Sequence, residues 1–382
     1  MKLLSAVVTI ICTSLGGVLS CLRFLRRLLG NGDDLSNSGV NKMDSFSQLP
    51  PELFRLIISK LGLNDEFVLS QTGRGLRGVF SRNWDEALAR LSSEDRSRFW
   101  AGLASICPEH WACPKCFRLH RADTSDTPNT PQEPPCGARI SLRRISLGGY
   151  SLRLNHMQIA LKLSRIGNLH QEFLASLMTP HRFSVSTKFK FQSRFTETYT
   201  ATPRIINGRF ILREEWVITD EGNVAWPLLH HVTIPSCPHL CVFGKGIENS
   251  KLWKRRGGRL TRQANPDARE ILLLERSIEN AIERKGVSFI CSCPRCPTDY
   301  AVIVSRSAMM ATIEAWHDFG GEGSPMDTGW NLHVRNPGVS DWIDQGPRSG
   351  HVEGSIKKLW IDTHCRELEL AGQQGASGEV NV

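Results

Sequence analysis

The stretch Ser45–Phe80 constrains the fold of this chain most, because its apolar residues recur at the spacing of short helices. Pro51 suits the first turn of a helix, where the amide that proline lacks would be unpaired, and Glu52 lies near the positive end of the helix dipole. Asn64 is a candidate N-cap for a second helix. The sequence predicts a third short helix around Leu76.

Three helices of this length cannot bury so many apolar side chains against one another. We therefore expect part of their apolar face to meet a partner. A helical hairpin within a larger core is the alternative. Composition allows both interpretations, since 40% hydrophobic and 22% charged residues are typical of a globular protein. With 382 residues, the chain can hold one large domain or a few modest ones.

This stretch resembles an F-box, a helical module that opens with Leu-Pro-x-Glu-(Leu/Ile) and closes on a helix with a Leu-Arg pair. The resemblance implies docking on a Skp-type adaptor, and thereby a place in a cullin ubiquitin ligase, with no catalysis by the chain itself. The residues that match, and that would contact the adaptor, are Leu49, Pro50, Glu52, Leu53, Ile57, Leu61, Leu69 and Leu76. Gly73 and Gly75 depart from the pattern, because a glycine within a helix costs roughly 1 kcal/mol relative to alanine.

Cysteines at metal-ligand spacing form a second pattern. Cys113 and Cys116 make a Cys-x-x-Cys knuckle, which points two thiolates at one tetrahedral ion. His120 and Cys136 would complete that site across the proline-rich loop Thr124–Pro135. A pair of free or redox-active cysteines is the alternative. Structural zinc is the one cofactor that the spacing indicates, and the sequence does not require it.

A second set of cysteines flanks a basic loop and a long helix. Cys237 precedes the loop, and Cys293 and Cys296 follow the helix. Either Cys241 or His239 would be the fourth ligand of a tetrahedral site that staples a larger fold than a compact zinc finger. A cluster of buried thiols is the alternative.

Later segments extend the resemblance to a group of F-box proteins of filamentous fungi. The similar segments are the Cys-x-x-Cys and Leu-His at 113–120, the Cys-Pro-His-Leu turn at 237–240, the Cys-x-x-Cys-x-Thr-Asp-aromatic stretch at 293–300, and Trp316–Gly323 with Asp327 and Trp330. The resemblance covers most of Leu49 to Trp330. It implies no particular substrate and no catalytic residue.

The predicted fold class is α+β. A three-helix F-box-like module precedes a mixed, strand-rich domain that contains a long helix and is stapled by zinc if the cysteines bind it. Arg182–Thr200 and Arg209–Ile218 alternate as strands do, with Asn207–Gly208 as a turn, and Leu161–Gly167 reads as a short helix or irregular piece. Asn265–Lys285 is the clearest helix and has a buried apolar stripe.

The predicted organisation has six parts. They are an apolar N-terminal segment at 1–30, a linker at 31–44, the F-box-like module at 45–92, a helix with the Cys-x-x-Cys segment at 93–139, an α+β body at 140–340 and a tail at 341–382. The body is the expected target-binding region, although its target is not apparent from the sequence. Within the tail we expect a helix at Lys357–Leu370 and disorder after it.

The apolar run Leu3–Leu22 is long enough to span a bilayer, and arginines follow it. A signal-anchor that leaves the body in the cytosol and an extension without a targeting role are equally consistent with this run. A cleaved signal peptide is less so. We expect a cytoplasmic or nuclear protein and leave membrane anchoring open.

Two other classes of function remain as alternatives. A zinc-stabilised nucleic-acid-binding protein would use the net charge of +9, the six basic residues within Lys251–Arg262 and the basic and aromatic residues that interleave over Lys188–Phe195. A solvated loop and a half-buried strand explain the same features, so nucleic acid is disfavoured as a partner. An enzyme is also disfavoured, because the sequence contains no G-x-S-x-G, no G-x4-G-K-(S/T) and no H-E-x-x-H motif. Its one G-x-G-x-x-G, at Gly73–Gly78, follows a helical pattern rather than a strand and is not a dinucleotide-binding signature.

Overall fold

The structure is a computed structural model of the chain. It describes residues 50–72, 78–80, 82–137, 149–167, 170–188, 194–220, 224, 234–237, 239–242, 253–256, 259–262, 268–323, 327–333 and 350–376. The apolar run Leu3–Leu22 lies outside these ranges. None of the helices within them has the length and apolar character that crossing a bilayer requires.

Helices form the N-terminal part of the described chain. They are α1 (Pro51–Ile58), α2 (Leu63–Thr72), α3 (Trp84–Ala89) and α4 (Ser93–Ile106). Asn83 and Ser92 are the N-caps of α3 and α4, because their side chains accept hydrogen bonds from backbone N–H groups in the first turn. α2 packs against α4, where the ring of Phe67 lies edge-on to that of Phe99, with 5.7 Å between the centroids.

The structure does not show the predicted three-helix module. Residues 73–77, where the third helix would begin, lie outside the described ranges. The prediction that Asn64 is an N-cap is wrong, because α2 begins before it. The carbonyl of Gly62 accepts hydrogen bonds from the backbone N–H groups of Asp65 and Glu66 instead, both at 3.0 Å.

The rest of the described chain contains both strands and helices. In order they are β1 (His110–Cys113), β2 (Arg118–Arg121), α5 (Leu154–Ile166), α6 (Gln171–Leu177), β3 (His181–Lys188), β4 (Arg194–Ile206), β5 (Arg209–Asp220), β6 (Ile234–Cys237), β7 (Leu240–Val242), β8 (Trp253–Arg256), β9 (Arg259–Arg262), α7 (Ala268–Glu283), β10 (Ser288–Ser292), β11 (Thr298–Val304), β12 (Met310–Gly321), α8 (Thr328–Asn331) and α9 (Ser355–Ala376). The predicted mixture of helix and strand is confirmed.

A six-stranded antiparallel sheet in the order β10–β11–β12–β5–β4–β3 forms the centre of the body. The predicted turn between β4 and β5 is confirmed at Asn207 and Gly208, whose φ angles of 52° and 71° fit a tight hairpin. Side chains alternate between the two faces of the sheet. Phe210 and Leu212 lie in the main core, whereas Ile211 between them belongs to a smaller cluster on the opposite face.

Helices α5 and α7 cover the main-core face. The predicted long helix is confirmed as α7, whose Leu274 and Ile278 are fully buried. The prediction for α5 was too short, because this helix begins at Leu154, well before the piece expected at Leu161–Gly167. Every α5 residue from Leu154 to Leu163 is buried, so α5 is a central helix of the core.

Helix α9 covers the opposite face of the sheet. Its Ile356 and Trp360 pack in the smaller cluster with Trp316 of β12. The prediction of a tail at 341–382 is therefore wrong for the residues that α9 contributes to the fold. The helix also extends beyond the predicted range Lys357–Leu370 at both ends.

The residues that suggested nucleic-acid binding are only partly described. Phe195 is 4% exposed and lies in the main core, as the half-buried-strand alternative predicts, so its ring is not available to stack on a base. The basic stretch contains the hairpin of β8 and β9. The side chains of this hairpin, and residues 189–193, lie outside what the structure describes.

Candidate metal centres

The first candidate centre is built on the hairpin of β1 and β2, and we call it centre 1. The turn between the strands carries the Cys-x-x-Cys knuckle, and the N–H of Phe117 in this turn donates to the carbonyl of Cys113 at 3.0 Å. Phe117 adopts a φ of 50°, which reverses the chain tightly enough to bring Cys116 back beside β1. His120 follows on β2, opposite Trp111 in the register.

The four predicted ligands of centre 1 meet in space. The ligand atoms of Cys113, Cys116, His120 and Cys136 all lie within 4.8 Å of one another. The Sγ atoms of Cys113 and Cys136 are 3.7 Å apart, and Cys116 Sγ is 3.1 Å from His120 Nε2. Ligand atoms around tetrahedral zinc are separated by roughly 3.5–3.8 Å, because Zn–S and Zn–N bonds are about 2.3 and 2.0 Å. This three-sulfur, one-nitrogen set therefore fits zinc.

A buried polar anchor fixes the loop that carries Cys136. Asp126 accepts hydrogen bonds from the side chains of Asn155 and His156, at 2.7 and 3.0 Å, and from the N–H of Gln132 at 2.7 Å. Burial alone would raise the pKa of Asp126, but these bonds outweigh burial and hold the pKa below its usual value. The charged carboxylate thus ties the loop to the start of α5 and places Cys136 at the knuckle.

The second candidate centre, centre 2, joins two distant parts of the chain. Cys237 ends β6 and His239 lies in the turn before β7, while Cys293 and Cys296 form a knuckle between β10 and β11. Backbone hydrogen bonds shape this knuckle. The N–H of Cys293 donates to the carbonyl of Thr298 at 2.8 Å, and the N–H of Thr298 donates to the carbonyl of Cys296 at 2.7 Å.

Centre 2 is more deeply buried than centre 1. Its four ligand atoms also lie within 4.8 Å of one another, and the three cysteines are at most 1% exposed. Burial raises the pKa of Cys237 and of Cys296, whereas hydrogen bonds from these two thiols lower the pKa of Cys293. The cluster therefore favours a thiolate at Cys293, which is the form that coordinates a metal.

The structure bears on one choice that the sequence left open. His239 belongs to the group, with its Nδ1 at 3.7 Å from Cys293 Sγ. Cys241 pairs with Pro235 across the hairpin of β6 and β7. Because the side chain of Cys241 lies outside what the structure describes, its role as a ligand stays a prediction.

A buried polar network that the sequence analysis missed lies beside centre 2. His317 Nε2 is 2.7 Å from Glu214 Oε2, and His317 Nδ1 is 3.1 Å from Thr298 Oγ1. Glu214, His317 and Thr298 are thus linked in the same order as the acid, base and nucleophile of a hydrolase. Yet all three residues are at most 3% exposed, and the hydroxyl lies 3.2 Å from Cys296 Sγ. Among the described residues, the arrangement is therefore buried against candidate centre 2 rather than open to solvent.

The run Trp316–Gly323 also has a structural explanation. Asp318 accepts from the Arg209 guanidinium and from the N–H of Gly320, both at 2.8 Å. The carboxylate of Glu322 pairs with Arg165 of α5 at 2.6 Å. These contacts fasten the end of β12 to β5 and α5, beside a small cavity that Glu322, Asp327 and Trp330 help to line.

The predicted adaptor-contacting residues lie on α1 and α2 or beside them. Leu49 and Leu76 are outside the described ranges. Of the others, Pro50 and Glu52 are exposed, and the half-buried residues are Leu53, Ile57, Leu61 and Leu69. Leu56 of α1 is 45% exposed. No α1 side chain that the structure describes is buried, which distinguishes this helix from α4 and its buried Phe99.

Comparison of the chain with profiles of known protein families, with curated proteins and with solved structures finds no match. Two features of the described residues bear on the function, namely the two candidate metal centres and the partly exposed apolar side of α1.

Proposed function

We propose that the chain is a non-catalytic substrate receptor of the F-box type. In this proposal α1 docks on a Skp-type adaptor, and the body presents a target protein to a cullin ubiquitin ligase in the cytosol or nucleus. The single observation that carries the proposal is the apolar side of α1, which the other described residues leave partly exposed, whereas the main core of the body is well packed.

Uncovered aliphatic residues on a short helix favour a partner for energetic reasons. Burying a leucine or isoleucine side chain contributes about 1.5–3 kcal/mol. Leu53, Leu56 and Ile57 all retain exposed surface. The Leu-Pro-x-Glu-Leu opening, which resembles the F-box pattern, commits this surface to a Skp-type adaptor rather than to another protein.

A receptor acts by holding its target at a fixed place, and the joint between helices and body suits that role. The ammonium group of Lys162 on α5 donates to the carbonyls of Cys107 and His110, just after the end of α4. The guanidinium of Arg165 donates to the carbonyl of Ser105 at 2.6 Å. Two cations therefore cap the C-terminal end of α4 and make the connection to the body stiff.

We further propose that centres 1 and 2 hold structural zinc. Each offers three cysteines and one histidine, and four protein ligands leave no open position for a substrate or water. The zinc would tie the hairpin of β1 and β2 to its loop, and the hairpin of β6 and β7 to the central sheet. Such sites stabilise a fold and do not catalyse reactions, which agrees with a receptor.

The two centres should release metal at different rates. We expect two zinc ions per chain and a two-phase transfer to a chromophoric chelator, with centre 1 first because Cys136 is exposed and centre 2 is not. Cys116→Ser should remove only the fast phase. A fast phase that persists in Cys116→Ser would show that the order is wrong.

The adaptor proposal is tested by binding of the full-length chain to a purified Skp-type adaptor. Leu53→Asp combined with Ile57→Asp should weaken binding by about 100-fold or more, because central aliphatic contacts dominate such interfaces. Affinity is measured by calorimetry, and circular dichroism confirms that each variant is folded.

Arg55→Asp combined with Lys60→Asp is the matched control. It adds acidic residues to the same helix region at exposed polar positions, and it should leave binding within a few-fold of the parent. If the folded parent does not bind the adaptor, or both double variants lose binding equally, the adaptor proposal fails.

A further inference from the structure

The hydroxyl of Thr298 lies where the buried polar network meets centre 2. Its Oγ1 is 3.2 Å from Cys296 Sγ, 3.1 Å from His317 Nδ1 and 3.1 Å from His333 Nε2. Thr298 is fully buried, and its backbone N–H and carbonyl are both bonded within the knuckle. The position of this hydroxyl is therefore fixed by the main chain as well as by its three neighbours.

Hydrogen bonds on the side away from Thr298 orient His317 and His333. His317 Nε2 faces Glu214, whose other oxygen accepts from the Tyr199 hydroxyl at 2.7 Å. His333 Nδ1 lies 2.7 Å from the carbonyl of Gly329, which only accepts, so this nitrogen carries a proton. Both rings are thus oriented by hydrogen bonds on the side away from Thr298, and neither can turn without leaving a buried polar group unsatisfied.

A hydroxyl has one proton to donate and two lone pairs with which to accept. When Cys296 coordinates a metal it is a thiolate without a proton, so its only hydrogen bond with Thr298 is one that the hydroxyl donates. His333 Nε2 is a competing acceptor, and Nδ1 of a neutral His317 is another, because the Nε2 of His317 carries the proton that faces the Glu214 carboxylate. The anionic sulfur prevails, because charge-assisted hydrogen bonds are about twice as strong as neutral ones.

We propose that Thr298 is a positioning residue of centre 2, which donates its hydroxyl proton to the metal-bound Cys296 thiolate. The inference rests on the proposed zinc occupancy of centre 2. Because Glu214 and Tyr199 lie on β5 and β4, the network would couple the metal to the middle of the sheet. Outer partners of this kind typically change metal affinity by about 10–100-fold.

The experiment uses the full-length chain loaded with ¹¹³Cd, which gives a separate NMR resonance for each centre. In the parent we expect a proton–cadmium correlation between centre 2 and the Thr298 hydroxyl. Thr298→Val should abolish it, shift the centre 2 resonance and speed metal release from centre 2 by about 10–100-fold. Thr298→Ser, which keeps the hydroxyl, should restore all three, and centre 1 is the internal reference.

The outcomes separate this inference from the proposal on which it rests. If centre 2 of the parent takes up no cadmium or zinc, the metal proposal itself fails. If the metal binds but Thr298→Val leaves the resonance and the release rate unchanged, the metal proposal stands and the role of Thr298 is wrong. If Thr298→Val does not fold, the spectrum of the parent chain alone tests the inference. A Thr298 hydroxyl proton that shows coupling to His333 Nε2 and none to cadmium would overturn it.

Discussion

Cys293→Ser is expected to abolish the cooperative thermal unfolding transition of the body, even in excess zinc. Structural zinc contributes an apparent 10–16 kcal/mol to the folding of zinc-finger peptides, about as much as the net stability of about 5–15 kcal/mol of a whole domain. Cys293 is fully buried in the main core together with Cys237 of the β6–β7 hairpin. Without the metal, this part of the core would contain buried thiols, and no metal–ligand bonds would join the hairpin to the sheet. Circular dichroism against temperature measures the loss.

The matched control is Cys291→Ser. Cys291 lies two positions away on β10, where its Sγ is 3.5 Å from the hydroxyl of Ser277, and it does not belong to centre 2. We expect this variant to retain a cooperative transition and both metal ions. If Cys293→Ser melts as cooperatively as Cys291→Ser, and within a few degrees of it, then centre 2 does not stabilise the body.

The candidate metal ligands were largely predictable, because a Cys-x-x-Cys knuckle specifies two of them locally. The position of His239 beside the knuckle of centre 2 was not. A register irregularity between Pro235 and Cys237 determines which residue of the hairpin faces the knuckle, and it places His239 in the turn. Sequence spacing alone does not reveal a bulge of this kind.

The central helix α5 was predicted only in part for a different reason. A helix is recognised in a sequence when it has one apolar and one polar side. From Leu154 to Leu163 α5 is buried on all sides, and it includes the polar residues His156, Gln158 and Lys162. Gln158 bonds both the N–H and the carbonyl of Ala112, so these polar groups are satisfied by tertiary contacts. Such contacts leave no periodic signal in the sequence.

The length of the C-terminal helix α9 and its part in the fold were underestimated, because the residue that caps the helix is distant in the sequence. Asp299 of β11 accepts hydrogen bonds from the backbone N–H groups of Gly354, Ile356 and Lys357, at 2.8–3.1 Å. A local search for an N-cap finds no such residue, because the cap precedes the helix by more than 50 positions. The two residues of the Thr-Asp pair that follows the knuckle thus have different neighbours. Thr298 contacts centre 2, and Asp299 caps α9.

Asp299→Asn is expected to release α9 from the sheet and to lower the free energy of unfolding by about 2–4 kcal/mol. The carboxylate is fully buried and accepts from three backbone N–H groups and, at 3.2 Å, from His351. An asparagine side chain would turn its NH₂ group toward some of these donors. Trp316, which α9 covers, would become exposed, so tryptophan fluorescence and hydrogen exchange across α9 report the release.

The same carboxylate makes the attachment of α9 dependent on pH. Burial would raise the pKa of Asp299, but the hydrogen bonds from His351 and from the backbone outweigh burial and lower the pKa below its usual value. The charged form is therefore favoured in the folded state. Its stabilising contribution is complete above the unfolded pKa of about 3.9 and is lost as the pH falls through the lower folded pKa. In the parent chain α9 should detach in this acid range, and Asp299→Asn should lack the transition.

Asp362→Asn is the matched control, because it makes the same change on the exposed surface of α9. It should keep both the fluorescence of the parent and its acid transition. If Asp299→Asn retains parental hydrogen exchange across α9, the apolar contacts of Ile356 and Trp360 suffice to hold the helix. The Asp299 cap would then determine where α9 begins, but not whether α9 stays attached to the sheet. A side chain that bonds the first backbone N–H groups of a helix fixes its start, whatever the rest of the helix packs against.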